Sequence, residues 1–459
     1  MQQAHPRRGY GMTLSACLWL GLFPLLQGGT YYSITHDKLR IMQDLSAVTL
    51  LCLLFDLVFF LIRRKKNPSP SSGKRQILVP LLIASALMGL TAVSCFTSKG
   101  FTSITWWIGE DARYEGLATQ LCYFGLFVCF LFSRVYRRPV VLSASAGVIA
   151  YLVVVLLQRA GGNPFGLYPP DKSYALVPEF QGTIGNIDMV TGYLLLMAGF
   201  LLYSFLDDLF TLRPSKASSG RSARLKPKGE RHPCLSLISL AAFLAAVYLI
   251  LTMWVQFGVI SLSVLLLFTL LRFLPRKARL PLLIILIVVA LLVVWFWPGH
   301  SGGLWELHEI FHGRARLSFG SNRVAVWYYS ILMSKEHLLL GNGSGTFKEC
   351  FNTFLPEHDY VIPTEQDGLA LPAYFDNPHS EYIAQLADHG LPAMLLFILL
   401  LLVSVFRRRE GWFPCLSPYS AAVLCYAVQA IFSFSVCLVA PMFWVILGLS
   451  FADPSTSET

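Results

Sequence analysis

Several groups of residues in this chain have types and spacings suited to chemistry. His308-Glu309-Ile310-Phe311-His312 matches H-E-x-x-H, the pattern in which two imidazoles on one helical face ligate zinc and the glutamate acts as base. No distinctive downstream segment supplies the third ligand such a centre needs, and an amphipathic turn at a membrane interface explains the same five residues. Gly341-Asn342-Gly343-Ser344-Gly345, followed by Thr346 and Phe347, offers backbone amides to a phosphate. It lacks the G-K-[ST] of a nucleotide loop, and a helix-ending turn fits it as well. His379 stands just before a predicted helix N-terminus, where free N–H groups and the macrodipole favour an anion and disfavour an imidazolium. It suits a general base, and equally a satisfied surface histidine. Arg323 offers a permanently charged fork for phosphate, or a partner for an acidic neighbour. Asp56 and Asp188 fall in or at apolar runs, where an ionisable group is a functional candidate; Asp188 also reads as a helix-start cap.

The elements that must position these groups are membrane helices. The 459-residue chain is 55% hydrophobic and 14% charged, with a mean hydropathy of +0.58, where a soluble domain carries roughly 25% charged residues. This excludes a disordered chain, a soluble enzyme and a disulfide-stapled module. Nine of the ten cysteines lie in or beside apolar runs, Cys350 being the exception, and they read as small buried hydrophobes. Runs near the 20 or so residues that a span needs occur at 12–28, 45–62, 77–96, 116–133, 139–157, 188–206, 234–252, 257–274, 280–297, 391–406, 417–434 and 436–451. The boundary within 234–274 is set at Trp254-Val255-Gln256, and that of the last pair near Ser435. The first run follows Arg7-Arg8 without a small-x-small cleavage site and reads as a first span. The predicted fold is all-α and polytopic, with about 12 transmembrane helices.

Charge sets the orientation. With both termini cytoplasmic, the inner segments hold 25 of the 36 Lys and Arg, and the outer loops hold 19 of the 26 acids. The net +10 is therefore a topology signal, and nucleic acid drops out as a partner. The inner linkers, 63–75 and 213–231, are Ser-, Pro- and Lys-rich. Three regions follow: 1–297 with nine spans, an extracytoplasmic loop 298–390, and 391–459 with three spans and a short tail. The loop holds seven of the ten histidines and is too long for a connector. One helix is predicted after Ser321 as cap, placing Arg323 and Trp327 one turn apart. A second is predicted from Ser380 as cap to a stop at Gly390, with Pro392 beyond.

Four segments in this order resemble the O-antigen ligase and polysaccharide polymerase superfamily of bacterial membrane proteins. They are Ala112-Arg113-Tyr114-Glu115-Gly116-Leu117; Gln181 to Asn186 running into Met189 to Leu194; Arg323-x3-Trp327 with Leu340 to Phe347; and Pro378-His379-Ser380-Glu381-Tyr382 through Asp388 to Pro392. Ser380 replaces the usual asparagine, Ala393 the usual glycine, and Thr252 to Gly258 lacks the arginine that members commonly carry there.

The resemblance implies transfer of a glycan from a polyprenyl-diphosphate carrier to a glycan, lipid or protein acceptor, at the extracytoplasmic face of the bacterial inner membrane. It implies no cofactor and no metal. His379 and Arg323 would be catalytic. Arg314, Arg316, Arg113, Gly343, Gly345 and Asn186 would bind diphosphate or glycan, and the spans would sit in lipid and receive the polyprenyl tail. Trp106, Trp107, Tyr168, Tyr174, Trp305 and Tyr374 are either sugar platforms or interface aromatics. A repeat-unit polymerase is the alternative within the superfamily. A lipid-linked glycan flippase is the alternative outside it, with a membrane metalloprotease more distant.

Overall fold

The computed structural model describes residues 9–64, 74–98, 105–110, 113–210, 233–360, 362–366, 369–372, 375–407, 409–410, 413–434 and 436–452. Arg7, Arg8, Tyr374 and most of the two basic linkers lie outside these residues, as does the side chain of Trp106. In chain order the α-helices are α1 Tyr10–Cys17, α2 Ile34–Arg64, α3 Lys74–Thr97, α4 Thr105–Ile108, α5 Leu117–Leu131, α6 Arg137–Arg159, α7 Ile187–Phe210 and α8 Pro233–Met253. They continue as α9 Gln256–Phe273, α10 Arg276–Trp295, α11 Gly303–Phe311, α12 Arg323–Ser334, α13 Phe347–Glu357, α14 Glu381–Phe406, α15 Pro418–Gln429 and α16 Ala440–Ala452. Among the described residues strand is confined to three short antiparallel pairs, of which Phe180–Gln181 with Gly185–Asn186 leads into α7.

The fold is that of an all-α polytopic membrane protein. Every predicted apolar run coincides with helix, but eight helices are long and apolar enough to cross a membrane: α2, α3, α6 to α10 and α14. Tyr10–Leu25, α5 and α16 are apolar and shorter, and α15 has 12 residues. The run 417–434 is shorter as a helix than its apolarity suggests because carbonyls just past its end serve another helix. Ala430 and Ser433 both accept from the amide of Glu381. The boundary at Trp254 holds, with α8 ending at Met253, Trp254 left-handed (φ +53°) and α9 starting at Gln256.

Helix α7 is the axis of the bundle. It is apolar on all faces and buried almost throughout, from Val190 to Tyr203, as expected of a helix surrounded by others. By contrast α10 is equally apolar and almost wholly exposed, so its surface is one that lipid covers. The segment between α10 and α14 carries a small core of its own. Ala325, Val326, Tyr329 and Met333 of α12 pack on Phe347, Phe351, Phe354 and Leu355 of α13, with Ala387 of α14 beneath them. That packing fixes α12 over the start of α14.

Candidate active site

The site forms where the starts of α7, α9, α12 and α14 meet. Asn186 precedes α7, and its Oδ1 accepts the Asp188 N–H at 2.8 Å. This turns Asp188 towards Arg323, whose Nη2 lies 3.8 Å from Oδ2, and the Arg323 guanidinium carbon lies 6.0 Å from the Phe257 ring of α9. Arg323 is the first residue of α12, but Ser321 does not cap it. Ser321 and Asn322 are both left-handed (φ +55° and +66°), Asn322 holds the cap position, and no side chain caps the helix. The amides of Arg323, Val324 and Ala325 instead donate to the carbonyls of Gly320, Phe319 and Leu317. An anion here therefore meets the guanidinium and not the helix-start amides.

One turn on, Trp327 Nε1 donates to the Pro378 carbonyl at 2.9 Å, and Asn377 Oδ1 accepts the His379 N–H at 2.9 Å. These two bonds hold His379 at φ +50°, a conformation that costs on the order of 1–3 kcal/mol outside glycine. The imidazole meets the Phe434 ring edge-on at 5.5 Å. Burial pushes the His379 pKa down to about 4, aided by the charges of Arg323 and Arg113 and opposed by Asp376. Burial and two arginines thus keep the ring neutral. The helix end contributes less than its position suggests, because Ser380 makes no side-chain cap and the Glu381 amide is already taken.

The glycine-rich loop does not offer a phosphate cradle. The amides of Asn342 and Gly343 donate to the carbonyls of Ala387 and Asp388 at 2.9 and 2.8 Å. Those carbonyls are freed because α14 breaks at Gly390 (φ +85°, ψ +171°) and Pro392 has no N–H. A Cβ on Gly341 would sit 2.4 Å from the Asp388 carbonyl, and one on Gly390 2.5 Å from the Leu339 carbonyl carbon. The two glycines allow a backbone-on-backbone clamp, which Ser344 Oγ and His389 Nε2 reinforce at 2.5 Å. The predicted stop at Gly390 is observed. Gly343 is spent on the clamp, while Gly345 lines a cavity beside it.

A family model described as O-antigen ligase matches residues 238–398. The match spans α8 to the middle of α14 and so contains Arg323, Trp327, the glycine clamp and His379. Over this stretch the chain is similar to the O-antigen ligase family. No curated protein matches it. Asp188 and Arg113 lie outside the matched stretch, and the fold brings them to it.

The remaining predicted residues distribute as follows. Arg113 grips the Asp376 carboxylate through Nε, at 2.8 Å, and Nη2, and lies 4.5 Å from the Phe434 ring, so it borders the site already paired. Asn186 spends its side-chain oxygen on α7. Arg314 is held by Glu309 at 2.6 and 2.9 Å and Arg316 lies 5.9 Å from the Trp305 ring; neither has a described contact with Arg323 or His379. In the H-E-x-x-H segment, His308 Nδ1 lies 3.1 Å from the Val294 carbonyl and His312 Nδ1 2.8 Å from the His308 carbonyl. Among the described residues no three His, Cys, Asp or Glu converge as metal ligands do. Asp56 caps α1, accepting from the amides of Gly11 and Met12 at 2.9 and 2.8 Å. Tyr168 is buried with its hydroxyl donated to the Phe180 carbonyl.

Sequence reasoning missed Asp376 and Asn377, although an Asn-Pro pair before a histidine is turn chemistry that signals a constrained residue. It also missed Arg159, at the end of α6. The guanidinium of Arg159 donates to Thr252 Oγ1 at 2.8 Å and to Gln181 Oε1 at 3.0 and 3.1 Å. A cation thus reaches the Thr252–Gly258 segment, which has none of its own.

Proposed function

We propose that this protein transfers a glycan from a polyprenyl-diphosphate carrier to an acceptor hydroxyl, as an O-antigen ligase does, at the extracytoplasmic face of the bacterial inner membrane. The observation that carries the reading is the pairing of a neutral, half-buried, conformationally fixed imidazole with an arginine that no hydrogen bond immobilises among the described residues. The acceptor oxygen attacks the anomeric carbon while the bond from that carbon to the phosphate oxygen breaks. The bonding pair leaves with the diphosphate, and the acceptor proton passes to His379. Arg323 stabilises the charge growing on the leaving oxygens, since a guanidinium matches phosphate with two parallel donors. A neutral imidazole is the form a base requires, and the diphosphate supplies the leaving group without an activating cofactor. Asp188 aims Arg323; Trp327 and Asn377 aim His379. The far end of the bundle gathers Arg137, Arg272 and Arg407, which supports cytoplasmic termini.

Sizing the polyprenyl-linked glycan pool by mass spectrometry in cells carrying wild-type protein or His379→Ala tests this reading. Accumulated long lipid-linked chains identify a ligase, and accumulated single repeats a polymerase. An unchanged pool removes the proposal and favours a transporter. Chelator is expected to leave transfer intact; strong inhibition would bring the H-E-x-x-H segment back as a zinc site.

A further inference from the structure

The cavity that Gly345 lines reaches Asn377 and Pro378, next to His379, and has no part in the chemistry above. Five carboxyl groups line it, Glu110, Glu115, Asp376, Glu381 and Asp388, against one guanidinium, Arg113, which Asp376 already neutralises. Asp388 is half-buried; a backbone bond from Gly345 reaches its carboxyl, but its Oδ1 is buried without a hydrogen-bond partner. Arg113 and Asp376 keep 27% and 38% of their side chains exposed, so the cavity is reachable from outside along their edge. Burial raises the Glu115 pKa well above the carboxylate range and pushes that of Glu110 up to about 7.

This lining selects by charge and by hydrogen-bond sense. A carboxylate only accepts, and a protonated carboxyl adds a single donor. An occupant must therefore bring O–H or N–H donors and no negative charge of its own. A diphosphate is excluded. The geometry also does not gather three of these acids as metal ligands. A saccharide end brings several hydroxyl donors on a compact body, and Phe347, Phe434 and Trp444 in the same wall give its C–H faces apolar surface. The cavity borders the base: Asn377 and Pro378 line it, and Phe434 in its wall packs against both the His379 ring and Arg113. Asp376 also accepts from Asn377, whose side-chain oxygen holds the His379 amide.

We propose that this cavity is the acceptor subsite, receiving the hydroxyl-bearing saccharide end of the acceptor and presenting its reacting oxygen to His379. The inference rests on the transferase reading above and divides that site in two: arginine on the donor side, carboxylates on the acceptor side, His379 between them. The acceptor is accordingly one that ends in a sugar, not in a peptide side chain or a phosphate.

The test uses the full-length protein in liposomes, with lipid-linked glycan extracted from its native cells as donor and the acceptor fraction of the same membranes. Asp388→Asn keeps the side-chain shape and replaces one carboxyl oxygen with an amide. Ala384→Leu fills the same cavity without touching a polar group. Each is expected to raise the acceptor KM on the order of tenfold, the first through a lost hydrogen bond and the second by occupying the space, while the donor KM moves much less. Equal rises in both KM values, or no rise in either variant, overturn the subsite. Arg323→Ala run alongside reports on the donor reading alone: full activity in that variant removes the transferase proposal itself, whatever the cavity variants do.

Discussion

The two ends of the helix bundle use arginine in opposite ways. At the end where α6 begins and α7 and α9 finish, Arg137 and Arg272 share the buried Asp207 at 3.6 and 3.4 Å. Arg407 donates to the carbonyls of Ser450 and Phe451 near the end of α16, and Arg279 to those of Leu274 and Arg272. Each charge there is spent on a helix end or a neighbouring carboxylate, and the result is a set of staples. At the other end Arg323 faces Asp188 at 3.8 Å, longer than a hydrogen bond, and the histidine beside it is neutral and left-handed. A staple wants several partners at once, as Arg137 has in Asp207, Asp208 and the Ser204 carbonyl. A group that must grip a substrate wants orientation with its donors still unspent. The difference separates arginines that hold the fold from the arginine that serves the reaction.

Substitution breaks the comparison most sharply at the two residues assigned to chemistry. His379→Ala and Arg323→Ala are expected to lower transfer roughly 10²–10⁴-fold, the range a positioned acid–base group contributes, with unchanged membrane insertion measured by fractionation. Arg323→Lys keeps the charge and loses the fork, so an intermediate loss of about ten- to a hundredfold is expected. A lysine variant with full activity would mean that charge alone suffices and that the bidentate geometry is irrelevant.

Trp327→Phe sharpens the positioning claim. It removes the bond to the Pro378 carbonyl while leaving an aromatic ring against Phe432, which lies 6.1 Å away. The left-handed His379 is then held by Asn377 alone, and kcat is expected to fall about tenfold, one lost hydrogen bond's worth of orientation. The acid limb of kcat/KM should move upward towards pH 6.5 as the loosened ring gains water. A loss in kcat with the limb unmoved would assign Trp327 to packing.

The pH profile itself follows from the low pKa of His379. The reaction needs the neutral ring, and an ordinary histidine would lose half of it at pH 6.5. Here the pKa lies at about 4, so kcat/KM, which reports the free enzyme, should stay flat from pH 8 to about 5 and fall near 4. Stability runs the same way. The unfolded chain takes up the proton first as pH falls through 6.5, so the folded state loses stability between about pH 6.5 and 4. His379→Gln should flatten that part of a melting-temperature profile. A limb at 6.5 in the wild type would show an imidazole exposed to water.

Much of this was legible before any coordinates. Apolar runs locate each of the eight long apolar helices among the described residues, because lipid and protein interiors make the same demand on a span. Gly390 with Pro392 marked the break in α14, since no other pairing both reverses the backbone and withholds an amide. What stayed hidden depends on partners far apart in the chain. The glycine loop reads identically whether its amides face a phosphate or the carbonyls that α14 releases 45 residues later. Ser321 suits a cap, but the left-handed turn at Ser321 and Asn322 puts the cap position at Asn322 and leaves it without a side-chain bond. Arg113 looked like a phosphate ligand because nothing nearby in sequence announces Asp376, 263 residues away. Asp56 looked functional for the same reason, its partners being amides at the start of α1.

The smallest effect on transfer is expected at the stapled end, and that contrast tests the comparison as a whole. Asp207 is buried, and its removal as Asp207→Asn leaves Arg137 and Arg272 facing each other without the charge between them. Both arginines keep about a third of their side chains exposed, so water screens part of the repulsion. The expected loss of stability is then nearer about 1 kcal/mol than the 3–5 kcal/mol of a fully buried pair. Transfer per folded molecule should stay within about twofold of wild type, because rigid helices separate Asp207 from Arg323 and a surviving fold preserves the distant geometry. A thermal melt of the reconstituted protein alongside a transfer assay checks both halves. If Asp207→Asn melts normally but transfers poorly, the two ends are coupled through α7, whose first turn carries Asp188 and whose last carries Asp207, and the division of arginines into staples and reagents fails.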